Sequence, residues 1–514
     1  MNLLNKKLVR NQFITLVAIL LLGGIVYSLF GHLIVEAMYN GKSISFLNKL
    51  IKEQPKKPLE FYLDKENNIY FALNILLVCF AFSLSFAFKV VRQQINPFYT
   101  LREELKNLSA YLSRNRRNLL ISLGLFTLFY CIYLSIGFSL IPQYQRLTWF
   151  GADHTDAIPG WISRNTRSFH KGSHPLLLLL ITPFGSLIHS IISSSEVSVV
   201  LVNSFFGASA VFLSSIFFWR LAQKRVEMAL LTIVFGLSMT QLVFGSLPET
   251  YALAACSIIS TYILFLISLQ DQKIYFGYWI IAGLFTFSVT ITNFVQTLIC
   301  LSTVVFRSHI KAKIVSILEY IGVIVSFAFL LSILQKVIFP QAKFFFLPTM
   351  VTYETKAVSA LVLEHPLVVV EEIIKNFFLV NFIAPFPGIE SNPQNPNGLI
   401  LDFFMHPLNY NLVGAVGAAL WLCLFTYGFY KNIRSRRRTF FNAVLCAVSF
   451  NIALHSIFGV NEIFLYTCNF SFPVLLLSLN ESVFKMSYFR GILILLIVAM
   501  AVNNFTVLKQ MISL

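Results

Sequence analysis

The chain has 514 residues, of which 57% are hydrophobic, 15% aromatic and only 12% charged, with a mean hydropathy of +0.74. This excludes an ordinary soluble globular domain and describes a polytopic membrane protein. The net charge of +17 would suggest nucleic acid in a soluble protein, but here the charges sort by loop, which argues against that partner.

Apolar runs of roughly 20 residues recur along the chain and are continuous rather than alternating, so helices are expected and a transmembrane barrel is not. The runs fall at 13–30, 70–88, 119–141, 197–218, 227–247, 251–269, 275–292, 294–306, 314–338, 410–430, 439–458, 467–482 and 489–507. The expected fold is therefore all-α, a polytopic bundle of about thirteen transmembrane helices. It divides into an N-terminal membrane hairpin with its loops (1–118), a central membrane module (119–338), a large outer loop (339–409) and C-terminal transmembrane helices (410–514).

With the N-terminus cytoplasmic, the inner segments hold 24 of the 39 Lys and Arg, including Lys431, Arg434, Arg436, Arg437 and Arg438, while the outer side holds 16 of the 22 acids. The run Pro175 to Ile192 would invert every later loop if it crossed. It is read instead as an interfacial or re-entrant helix interrupted at Pro183 and Gly185. Asp153, Asp156 and Glu249 then share the outer face.

Three outer segments are long enough for structure. Residues 31–69 (with Glu36, Tyr39, Pro55, Pro58 and Asp64) are expected to hold an interfacial helix. In 339–409, Val358 to Val380 reads as an amphipathic helix with Glu364, Glu371, Glu372 and Lys375 on its wet side, followed by irregular loop through Pro393–Gly398. The third, 142–196, carries the first polar constellation. No convincing strand and no Gly-rich nucleotide fingerprint is present, which disfavours a nucleotide-sugar donor. Cysteine spacing gives neither a disulfide framework nor a zinc site.

That constellation is Gly151-Ala-Asp153-His154-Thr-Asp156, then Trp161, Arg164, Arg167, His170 and Lys171, then His174-Pro175-Leu176. A second one is Pro248-Glu249-Thr250-Tyr251-Ala252-Leu253. Their order and spacing, over roughly residues 119 to 310, resemble the outer loops of GT-C type integral-membrane glycosyltransferases, including protein O-mannosyltransferases and lipid A aminoarabinose transferases. Leu176 stands where those proteins often have a second proline.

The resemblance implies a GT-C-like catalytic module that takes a sugar from a polyprenyl-phosphate donor to a lipid, glycan or protein acceptor on the extracytoplasmic face, with inversion. Such transfer needs a general base at the acceptor hydroxyl. Asp153 is the first choice and Asp156 the alternative. Asp156 could instead orient the acceptor or join Glu249 on a divalent cation, which stays open because members of the family differ in metal dependence. Arg164, Arg167 and Lys171, or Lys343 and Lys375, are the cations for the leaving phosphate.

His174 is weighed equally as a cap for the helix after it and as a substrate contact. His154, His170 and His189 lack paired metal spacing. Glu462 and Tyr466, an acid amid aromatics at a span mouth, are read as sugar or acceptor contacts against an interfacial tyrosine anchor, and Tyr251 belongs to the second constellation.

Two rival readings remain, a transporter or flippase of lipid-linked saccharide and a surface-polysaccharide polymerase or ligase. The absence of arginine from 339–409 argues against the latter. Membrane lipids are expected partners. The final Ile512-Ser-Leu514, lacking a retention signal, favours a bacterial inner membrane over the endoplasmic reticulum.

Overall fold

The computed structural model describes residues 76–88, 115–164, 173–308, 313–345, 358–359, 361–392, 398–435 and 438–514. The expected span 13–30 and the segment 31–69 lie outside the described residues, as do Arg167, His170, Lys171 and residues 393–397.

In chain order, the helices are α1 (Leu76–Phe88), α2 (Arg116–Leu140), α3 (His154–Ile162), α4 (Leu177–Ile192), α5 (Ser195–Ala222), α6 (Arg225–Gly236), α7 (Met239–Phe244), α8 (Tyr251–Asp271), α9 (Phe276–Val289), α10 (Asn293–Arg307) and α11 (Lys313–Ile338). After these come α12 (Leu361–Glu364), α13 (Pro366–Lys375), α14 (Leu412–Arg434), α15 (Thr439–His455), α16 (Ser471–Leu477), α17 (Glu481–Phe484) and α18 (Phe489–Ile512). Among the described residues, α2, α5, α8, α11, α14 and α18 are each long and apolar enough to cross a membrane. The chain is a helical integral membrane protein. The tight turn Val460–Asn469 and α16 would make a seventh span if their 73° bend is one broken crossing.

Contacts between helix termini define two ends of the bundle. At the basic end, Arg225 Nε donates to Asn118 Oδ1 at 2.7 Å, Arg220 to Gln270 at 3.0 Å, and Arg490 Nη2 meets Glu227 at 3.0 Å. At the other end, Gln143 donates to the Ile512 carbonyl at 3.1 Å. Helix α4 begins and finishes at this second end. Its approach is tied by Leu176 N–H to Ser288 O and Ile291 N–H to Ser173 O, both at 3.1 Å. It leaves through the left-handed Ser193 straight into α5, capped by Ser194. Its inner face packs on α3, where a Cβ on Gly185 would lie 2.1 Å from the Trp161 carbonyl oxygen. Phe184, Leu187 and Ile191 face outward, the pattern of a helix lying at a membrane surface.

The expected continuous span 227–247 is broken instead at Leu237–Ser238, between α6 and α7. A break in an apolar environment leaves backbone groups that must find partners. Asn504 Nδ2 donates to the Leu237 and Phe382 carbonyls at 2.9 and 2.8 Å, and Met239 and Thr240 N–H donate to Phe382 O and Asn381 O. A second break at Asn469–Phe470 is satisfied by Gln296 donating to Asn469 O at 2.8 Å and by Asn293 donating to its side chain at 2.9 Å.

Two expectations for 339–409 are corrected. Glu372 and Lys375 are buried against each other rather than wet, and the chain beyond α13 does not stay outside. A π-turn over Asn376–Val380 carries Phe377, Phe382, Ile383 and Ala384 into the core. There Phe377 stacks on Phe470 with centroids 3.6 Å apart and Phe382 lies 3.9 Å from Trp421. Each such pair contributes about 1 kcal/mol beyond its buried area.

Strands, not expected, are also present. β1 (Leu147–Trp149) pairs parallel with β3 (Leu399–Asp402), and β2 (Gly388–Ser391) pairs antiparallel with β3, in the order β1-β3-β2. Strands of three and four residues formed between distant loops leave too little alternation to read from sequence. This small sheet stitches the loop after α2 to the large outer segment.

Candidate active site

The Asp153 loop begins as a tight turn off β1. Ala152 N–H donates to Trp149 O at 2.9 Å, with Phe150 and Gly151 at φ +54° and +78°. Positive φ at both central residues is the requirement of a type I′ turn, tolerated readily by glycine and not by phenylalanine. Phe150 is held in that conformation by Phe403 and Phe464, at 4.8 and 4.7 Å between centroids. Its N–H donates to Leu401 O. Asp153 then opens α3 from the N-cap position, half-buried.

Glu249 reaches this turn from the loop between α7 and α8. That loop is anchored by Asn203 of α5, which donates to the Phe244 and Leu247 carbonyls at 3.0 and 2.9 Å. Buried Glu249 accepts the Asp153 N–H on Oε1 at 3.0 Å and the Thr250 N–H on Oε2 at 2.6 Å. A third acid arrives from the turn after α15, where a Cβ on Gly151 would lie 2.7 Å from Glu462 Cδ. Asp153, Glu249 and Glu462, from three separate stretches, thus converge at one end of the bundle. Glu249 is a buried clamp, whereas Asp153 and exposed Glu462 reach the rim.

The aromatics beside the acids form a wall. Tyr251 packs edge-on to Tyr466 at 6.0 Å, and Tyr466 stacks on buried His455 at 4.6 Å. Left-handed Gly459 passes so close that a Cβ there would meet the Tyr466 ring at 2.4 Å. His154 is buried with Nε2 3.0 Å from the Tyr144 carbonyl. Burial lowers its pKa against the opposing effects of bonds to the Tyr144 and Ala152 carbonyls and the nearby Glu249 charge.

The remaining expected residues lie apart. Asp156 is exposed in the first turn of α3, and no contact joins it to Glu249. Among the described residues no group of three or more His, Cys, Asp or Glu is placed to hold a metal ion. His174 contacts the Val289 carbonyl through Nδ1 at 2.6 Å, so it fixes the approach to α4 on the end of α9.

Arg164 bonds the Ile338 carbonyl at the end of α11, at the far end of α3 from Asp153, about 14 Å along the helix. Lys343 is exposed just beyond α11. Lys375 is not free for phosphate. Its ammonium contacts Glu372 and donates to the Phe403 and His406 carbonyls at 2.6 and 3.2 Å.

Sequence reasoning missed Asp402, His455 and the Phe150–Phe403–Phe464 cluster. Only the scattered aromatic composition hinted at the last. No protein-family model matches the chain, and no curated protein matches it.

Proposed function

We propose that the protein is an integral-membrane glycosyltransferase of GT-C architecture with about thirteen crossings. In this reading it takes a sugar from a polyprenyl-phosphate donor to a lipid, glycan or protein acceptor at the extracytoplasmic face of a bacterial inner membrane. The observation that carries the reading is the meeting of Asp153, Glu249 and Glu462 at the end of the bundle opposite its basic loops.

Asp153, at the rim, is the general base that takes the acceptor hydroxyl proton as the sugar's bond to phosphate breaks on the opposite face of the anomeric carbon. Glu249 holds the Asp153 backbone in place and so acts as a positioning residue. Glu462 and the Tyr251–Tyr466 wall receive sugar or acceptor hydroxyls, with Arg164 and Lys343 as described cations of the same end for phosphate.

A second reading is favoured by a specific observation. The breaks at Leu237–Ser238 and Asn469–Phe470 are lined by buried polar groups, as in transporters whose discontinuous helices hold substrate. A flippase of lipid-linked saccharide fits that feature. In these breaks, however, the Asn504 and Gln296 amides are occupied by the backbone they repair. Incubating purified protein in vesicles with lipid-linked sugar and candidate acceptors separates the two. Release of free polyprenyl phosphate supports the transferase, and translocation of chemically unchanged donor supports the flippase.

A further inference from the structure

At the basic end, α10 and α15 diverge and leave a groove of about 630 Å3. Leu298, Ile299 and Phe306 supply apolar wall, while Arg307, Thr439 and Asn442 gather polar groups at its mouth. Arg307 donates to Thr439 Oγ1, which holds the guanidinium across the gap between the two helices.

Among the described residues the surroundings are cationic. Lys313 is bonded to the Phe306 carbonyl, and Arg438, which directly precedes Thr439, is bonded to the Ser435 carbonyl. Neither 307–313 nor 431–438 contains an acidic residue. No described carboxylate pairs with Arg307, Lys313 or Arg438. Arginine beside hydroxyl and amide donors is suited to a phosphate, and a basic pocket between membrane helices above an apolar furrow is suited to a lipid that carries one.

We propose that this groove binds an anionic glycerophospholipid, its headgroup phosphate on Arg307 and Asn442 and one acyl chain along Ile299 and Leu298. The proposal is independent of the glycosyltransferase reading, since it concerns the opposite end of the bundle. A lipid is favoured over a soluble phosphate because the cavity continues as apolar wall beyond its polar mouth.

The test is native mass spectrometry of the full, delipidated chain in detergent, titrated with phosphatidylglycerol and with phosphatidylcholine of the same acyl chains. Phosphatidylcholine keeps the phosphate but carries its own ammonium beside it, so phosphatidylglycerol, which lacks that cation, is expected to bind about tenfold more tightly, the scale of one charge-assisted hydrogen bond. Arg307→Gln is expected to bring it down to the phosphatidylcholine level. Ser302→Phe, which fills the groove, weakens both lipids, and Arg220→Gln, a basic-end arginine outside the groove, changes neither. Should Arg307→Gln fail to retain wild-type helix content, Lys313→Gln, which removes the adjoining cation, is expected to lower the preference instead. Equal binding of the two lipids by the wild type, or an unchanged preference in folded Arg307→Gln or the variant that replaces it, overturns the proposal. Displacement of phosphatidylglycerol by millimolar glycerol phosphate overturns it in favour of a soluble phosphate.

Discussion

The Glu249 carboxylate accepts the backbone N–H of Asp153 at 3.0 Å across 96 residues of sequence. This single bond ties the loop between α7 and α8 to the loop that opens α3. Because the other Glu249 oxygen takes the Thr250 N–H, truncation releases both loops together. Glu249→Ala is expected to lower the turnover of lipid-linked sugar about 10²-fold, the scale of a small misplacement of reacting groups. Glu249→Gln, whose amide oxygen still accepts the Asp153 N–H although its NH2 cannot accept the Thr250 N–H, is expected to lose less turnover than Glu249→Ala. Steady-state rates of both variants check this, and equal losses would place the Glu249 charge in the chemistry rather than in positioning.

The buried Glu372–Lys375 pair makes a prediction about stability. Lys375→Met strands a carboxylate whose oxygens otherwise meet Lys375, the Met405 N–H and the Asn376 amide. The expected cost is about 3–5 kcal/mol. Adding Glu372→Gln is expected to return much of it, and detergent melting curves of the single and double variants measure the recovery.

Asp402 sits in the same cluster, outside the membrane helices. Burial raises its carboxyl from the ordinary 3.8 to about 6, against the lowering effect of the Phe404 and Phe403 N–H bonds; Glu372 adds to the rise and His406 opposes it. Between those two values the folded chain keeps a proton that the unfolded chain has released. Stability from this group is therefore present at low pH and lost as pH rises through about 6. Relative to Asp402→Asn, the wild type is expected to lose melting temperature between pH 4 and 7. Parallel curves across that range would contradict the assignment.

Helix α4 can be tested by labelling. In a background lacking the exposed Cys131, Cys423 and Cys446, cysteine at Ser193 is expected to react with a membrane-impermeant maleimide from the same side as cysteine at Asp156. Cysteine at Asp271 is expected to react from the other side. Ser193 and Asp156 labelling from opposite faces would make α4 a crossing and break the arrangement of the acids.

Much of this architecture was legible in the sequence because apolar run length and loop charge report directly on helices and their ends. The 175–192 segment could be assigned to one surface because Arg220, Lys224 and Arg225 had to fall on the basic end. Asp153 and Glu249 could be paired for the same reason. The breaks at Ser238 and Phe470 were hidden because the amides that repair them, Asn504 and Gln296, lie far away in the chain. The inward path of Phe377 to Ala384 was hidden for a related reason: the pattern around Glu372 and Lys375 looks amphipathic, and only the fold shows which side faces protein. Asp156 stood as the alternative to Asp153 in sequence, but one helical turn separates a rim position beside Glu249 from an exposed one.

The most direct measurement is the rate of sugar transfer from polyprenyl phosphate to acceptor by purified, folded Asp153→Asn and Asp156→Asn proteins in vesicles. Loss of the general base is expected to cut turnover by about 10²–10⁴-fold in Asp153→Asn, with Asp156→Asn close to wild type. Wild-type turnover in folded Asp153→Asn would contradict Asp153 as the base.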